Sequence, residues 1–148
     1  MQNVDIVKVV MVKDGELENE RIQIRSADDA AQLIRRYVGG ADREHFVCLM
    51  LDTKHFVNAI HTVSIGSLDA AIVHPREVFK PAILANSSGI IVAHNHPSGQ
   101  PAPSDEDIAV THRLLDAGRI LGIQVIDHII VGDPSFTSLM ELGYFPRG

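Results

Sequence analysis

Two histidines one residue apart, His94 and His96, end the apolar run Gly89 to Ala93 and directly precede Pro97-Ser98-Gly99. Side chains alternate faces along a strand, so this pair projects from one face at a spacing that lets two imidazoles bind one metal ion. The Pro/Gly-rich loop that follows brings functional groups to solvent. Two histidines at this spacing also occur simply as a solvated loop pair. Eleven residues after His96 comes Asp107, the third residue of a helix opened by Ser104-Asp105-Glu106. Read alone, that stretch is a capping box in which Ser104 and Asp107 each satisfy a backbone N–H. Flanking the same loop as the histidine pair, it completes a His-His-Asp set that leaves a fourth tetrahedral position for water.

The elements around these groups follow from hydrophobic periodicity. Residues 4–12 and 21–25 read as short β runs joined by the turn Lys13-Asp14-Gly15, a hairpin or edge extension that makes residues 1–25 an N-terminal β extension. Ser26 and Asp29 have capping-box spacing, and Ala30, Leu33, Ile34, Tyr37 and Val38 form a helical stripe ended by Gly39-Gly40. Glu44 to Asp52 is a nearly continuous apolar run, expected as a central strand, with Phe56 to Ile65 as its antiparallel partner. Pro75 fits the first position of a second helix reaching about Asn86, with Val78, Ile83 and Leu84 inward. Pro81 either kinks that helix or lies in its first turn. Ser104 caps a third helix carrying Ile108, Leu114, Leu115 and Leu121. Gln124 to Val131 is a further strand, Gly132-Asp133-Pro134 a turn, and Ser138 to Leu142 at most a short terminal helix. The pattern predicts one domain over residues 1–148, a mixed α/β (α+β) sheet flanked by helices, without repeats or linkers.

Composition bounds the functions available. With 148 residues, 45% hydrophobic and 22% charged, the chain suits one folded domain with an aliphatic core. The single cysteine, Cys48, lies within FVCLML and reads as a buried thiol. Thirteen Lys and Arg against 19 Asp and Glu leave a net charge of −6, which disfavours nucleic acid as a partner. No apolar run approaches the roughly 20 residues of a membrane helix, and the N-terminus lacks a basic-then-apolar signal layout, so a cytoplasmic location is expected. Eight histidines are the one compositional hint of chemistry.

Among other candidates, Glu77 is a rival general base, although a Glu in a first helical turn ordinarily compensates the helix dipole. His74 reads as a cap or cleft residue. Asp127-His128 reads as a strand pair near the sheet edge, either supporting the site or satisfied and partly buried. His45 reads as structural, His55, His61 and His112 as surface, and Arg35, Arg36 and Arg43 as ordinary helix-end charges.

The spacing His94-x-His96-Pro97, then Ser104 and Asp107, resembles the JAMM signature of the JAB/MPN zinc metalloproteases. The runs VHPREVFKPAILANSSGIIVAHNHPSG and VTHRLLDAGRILGIQVIDHIIVG resemble the bacterial RadC branch in particular, over roughly residues 26–148. The resemblance implies a cytidine-deaminase-like sheet and one Zn2+ per chain, held by His94, His96 and Asp107. It makes Glu44 the catalytic glutamate and Ser104 a hydrogen-bonding partner of the bound water or oxyanion. The implied activity is hydrolysis of a peptide or isopeptide-linked protein substrate; a DNA-processing accessory role and a non-catalytic interaction module are the alternatives. Full-length RadC proteins carry a helix-hairpin-helix-like segment, a pattern absent from residues 1–25, and Asn95 stands where deubiquitinase-type members have Ser.

Overall fold

The computed structural model describes residues 1–17, 21–66 and 73–146. Its elements are α1 (Ala27–Val38), β1 (His45–Leu51), β2 (Val57–Ile65), α2 (Pro75–Leu84), β3 (Gly89–Asn95), α3 (Asp105–Leu121), β4 (Gln124–Val131) and β5 (Phe136–Ser138). The strands form one sheet in the order β2-β1-β3-β4-β5. β1 is antiparallel to both β2 and β3, β3 is parallel to β4 through the α3 crossover, and β5 is antiparallel to β4. The fold is α+β with a mixed sheet, as the hairpin of β1 and β2 and the alternation beyond it predict.

Both faces of the sheet are covered, which is why β1 and β3 read as unbroken apolar runs. One core joins Phe46, Cys48, Met50, Ile90 and Val92 to Val78 and Phe79 of α2 and Val110 and Leu114 of α3. The other joins Val47, Leu49, Ile91, Ala93 and Ile129 to Ala30, Leu33 and Ile34 of α1. A register shift sits in β4: Ile90 pairs with Val125 but Ile91 with Asp127, so Ile126 is an extra residue. Val125 packs in the first core while Ile129 and Val131 pack in the second.

Several expectations are corrected. Residues 4–12 form no strand and are exposed, so no N-terminal β hairpin forms, whereas residues 21–25 line the sheet edge through the Gln23–Phe56 bridge and the Val57 N–H donating to the Ile22 carbonyl. The β propensity of 4–12 meets no sheet edge, and a lone hairpin is marginal in water. Where the sequence allows at most a short terminal helix, the chain after Asp133 forms β5 and then turns, because β4 offers its free edge there. In α2 the buried residues are Val78, Phe79 and Ala82, whereas Ile83 faces solvent. Pro81 lies inside α2 beyond its first turn. In α3 the inner stripe is Asp107, Val110, Thr111, Leu114 and Gly118, and Leu121 is exposed. At α1 the cap is one-sided: Ser26 Oγ accepts from Asp29 N–H, but the Asp29 carboxylate accepts from Arg25 N–H.

Candidate metal centre

β3 ends at the site, and antiparallel pairing brings the start of β1 beside it, with Phe46 opposite His94. Continuing that register places Glu44, immediately before β1, opposite His96. The third contributor is α3, whose capping box is complete. Ser104 Oγ accepts from Asp107 N–H at 3.1 Å, and Asp107 Oδ2 accepts from Ser104 N–H at 2.8 Å. Capping therefore fixes the Asp107 carboxylate at the first turn of α3, its side chain 1% exposed.

Three donor groups converge. His94 Nε2 lies 3.0 Å from His96 Nε2 and 3.0 Å from Asp107 Oδ1, and His96 Nε2 lies 3.5 Å from Asp107 Oδ2. Ligands about 2.0–2.1 Å from a tetrahedral zinc are about 3.3 Å apart, so these spacings are those of tetrahedral edges. His96 Nδ1 lies 2.7 Å from the Gln100 carbonyl, which only accepts, so this nitrogen carries hydrogen and a neutral His96 presents an Nε2 lone pair. Lone pairs crowded this closely need a cation or a proton among them. The chemistry of the set fits a divalent metal.

Without metal, protons take that role. Burial opposes ionisation of Asp107, but its hydrogen bonds with His94 and His96 outweigh it and hold the carboxyl well below the usual carboxylate range. His96 is shifted upward, chiefly by its hydrogen bond with Asp107, against the opposing effect of burial; the Gln100 carbonyl and the charge of Glu44 add to the rise.

Behind His94 lies a second layer, of which sequence reasoning weighed His128 as one alternative and missed Thr111. His94 Nδ1 is 2.9 Å from His128 Nε2, and His128 Nδ1 is 2.7 Å from Thr111 Oγ1. Thr111 donates to the Asp107 carbonyl at 2.8 Å. Burial, then the charge of His94, keep His128 well below the ordinary histidine range. Phe46 stacks on His94 and sets its edge against His128. Of the two readings of Asp127-His128, the partly buried pair near the sheet edge is corrected, while the one that sets it beside the site fits His128, fully buried behind His94 on β4, an interior strand. Asp127 instead accepts from the Ser138 hydroxyl and from the backbone N–H groups of His128 and Met140.

Glu77 is exposed and pairs with Arg76 at 3.7 Å. His74 caps α2 without a side-chain hydrogen bond, His45 Nδ1 sits against the Arg43 carbonyl, and His61 and His112 are exposed. His55 is a turn residue at φ 65°, half-buried rather than a surface group. Arg35 is more than a helix-end charge, because it donates to the Pro134 carbonyl at 2.7 Å and braces the turn between β4 and β5. A groove of about 1060 Å³ between the C-terminal half of α3 and residues 140–146 is lined by none of the three donors.

Residues 24–144 match the family model of the RadC-like JAB domain. The chain belongs to this family. An UPF0758 protein of Shouchella clausii (strain KSM-K16) is 57% identical over 122 residues, 82% of this chain and 53% of that relative. UPF0758 proteins of Caldanaerobacter subterraneus subsp. tengcongensis and Halalkalibacterium halodurans are 50% and 49% identical over 128 and 129 residues. The chain spans about half the length of these curated relatives, 53–56%. In this RadC-like JAB domain the matched region contains β1, β3, α3 and β4, and so every residue of the metal centre and the layer behind it. No helix among the described residues is long and apolar enough to cross a membrane.

Proposed function

We propose that this RadC-like JAB domain is a zinc-dependent hydrolase of peptide or isopeptide bonds, holding one zinc per chain through His94, His96 and Asp107. The observation that carries the reading is the convergence of these three groups within 4.8 Å at the end of β3. Bound there, zinc would polarise a carbonyl and lower the pKa of water to about 7. Glu44, just before β1 and opposite His96 in the continued register, takes the proton of the attacking water and returns it to the departing nitrogen. Capping uses the Ser104 oxygen only as an acceptor, so its hydroxyl hydrogen can serve the oxyanion. The net charge of −6 disfavours a backbone-binding nucleic-acid role.

Metal analysis and a substrate screen test this reading. Protein purified without added zinc is expected to carry about one zinc per chain and to cleave peptide or isopeptide substrates but not DNA. Unchanged zinc stoichiometry in the His94→Ala/His96→Ala protein would overturn the ligand assignment. Zinc-loaded protein that cuts DNA alone would overturn the substrate class.

A further inference from the structure

We propose that Thr111 and His128 form a one-way hydrogen-bond relay that fixes which nitrogen of His94 faces the metal, making both of them positioning residues. The inference rests on the metal reading of His94, His96 and Asp107, and goes beyond it to residues that touch neither metal nor substrate.

Proton bookkeeping sets the direction. The Asp107 backbone carbonyl is an acceptor only, and the Thr111 hydroxyl spends its hydrogen on it at 2.8 Å. Thr111 Oγ1 then meets His128 Nδ1 at 2.7 Å as an acceptor, so His128 carries hydrogen on Nδ1. His128 is fully buried and has no carboxylate among its hydrogen-bond partners, so it is a neutral imidazole with a lone pair on Nε2. That lone pair, 2.9 Å from His94 Nδ1, accepts the His94 hydrogen. His94 is left presenting an Nε2 lone pair toward His96 and Asp107. The opposite polarity would leave the Thr111 and Asp107 oxygens 2.8 Å apart with no proton between them.

The relay starts at the backbone of Asp107 and ends beside its carboxylate, a ring through α3, β4 and β3. Two ligands carried by different elements are thereby oriented by one network, and Phe46 walls off its imidazoles. Partners of this kind raise ligand basicity and hold ring orientation, and their loss typically costs about 10–100-fold in metal affinity. Thr111→Val keeps the shape but removes the acceptor. His128 is then free to move its hydrogen to Nε2, which forces the wrong tautomer on His94.

Zinc affinity by chelator competition, with melting of the metal-free proteins, tests the relay. Thr111→Val is expected to bind Zn2+ about 10–100-fold more weakly, with Thr111→Ser close to the parent and the metal-free Thr111→Val protein still folded. His128→Leu, which removes the acceptor for His94 Nδ1, should weaken zinc at least as much. Should Thr111→Val fail to fold, Thr111→Ser against His128→Leu decides: affinity kept in the first and lost in the second supports the relay. Parental affinity in Thr111→Val or His128→Leu overturns it, as does equal loss in Thr111→Val and Thr111→Ser. A parent that binds no zinc overturns the metal reading itself, a distinct result.

Discussion

Asn95 grips the backbone on both sides of Glu44. Its side-chain oxygen accepts from the His45 N–H at 2.7 Å, and its amide donates to the Arg43 carbonyl at 2.9 Å. The residue between the two converging histidines thus faces the other way and holds the backbone that carries the proposed base. Asn95→Ala should lower turnover while leaving zinc stoichiometry intact, at a stability cost of about 1–3 kcal/mol for the stranded backbone groups. Parental turnover with parental zinc would show that Glu44 does not depend on this grip.

Glu44→Gln and Glu77→Gln should separate cleanly. Losing the base should reduce hydrolysis by about 10²–10⁴-fold with zinc retained, because Glu44 is not among the three converging ligands. Glu77 is an exposed first-turn residue of α2 paired with Arg76, so its replacement should leave rate and metal content near parental. A near-parental rate in Glu44→Gln, or zinc lost with it, would remove Glu44 from the base role.

The metal-free and zinc-loaded proteins should respond oppositely to pH. Asp107 titrates below its ordinary 3.8, so its contribution is present above that value and fades as pH falls through the depressed one. His96 titrates above its ordinary 6.5, so its contribution is complete below 6.5 and is lost as pH rises through the raised value. Metal-free stability should therefore be greatest between the ordinary 3.8 of Asp107 and the ordinary 6.5 of His96, and decline as pH rises above 6.5. With excess zinc, stability should rise as pH rises above 6.5, because the metal competes with protons for the same lone pairs. Thermal melts across this range check both trends; parallel curves would contradict the shared site.

Cys48 should be inert in the folded protein. It is fully buried on β1, and burial pushes its thiol up to about 12. A thiol reagent at about pH 8 should label it only at the rate of unfolding. Stoichiometric labelling within seconds under native conditions would contradict the packing of the first core.

The three converging groups of the candidate metal centre were legible because their signal is local: an alternating pair, a loop and a capped helix, each fixed by neighbours in sequence. The central strands were legible because both faces are covered and the apolar runs are unbroken. Thr111 was not, and His128 only as one of two alternatives, since their partnership is made by tertiary contact between β4 and α3. Strict alternation from Val125 would even place His128 across the sheet from the first core, and only the extra residue Ile126 turns it toward His94. A signal did exist on the helix, because Thr111 is four residues after Asp107 and shares its inner stripe. The N-terminal run misled for the converse reason: a sequence can favour extended backbone without an edge to pair with.

Ile126 makes the site depend on the count of residues as well as on their kinds. Gly89 leaves the room it occupies, since a Cβ there would meet Ile126 Cδ1 at 2.8 Å. Aliphatic exchanges along β4 would disturb packing only by degrees. Loss of a single residue between Gln124 and Asp127 would instead invert the phase of everything downstream, turning His128 away from His94 and exchanging the facings of Ile129 and Ile130 together. Drift at the aliphatic positions of this strand can consequently change letters, but the strand is barred from changing length.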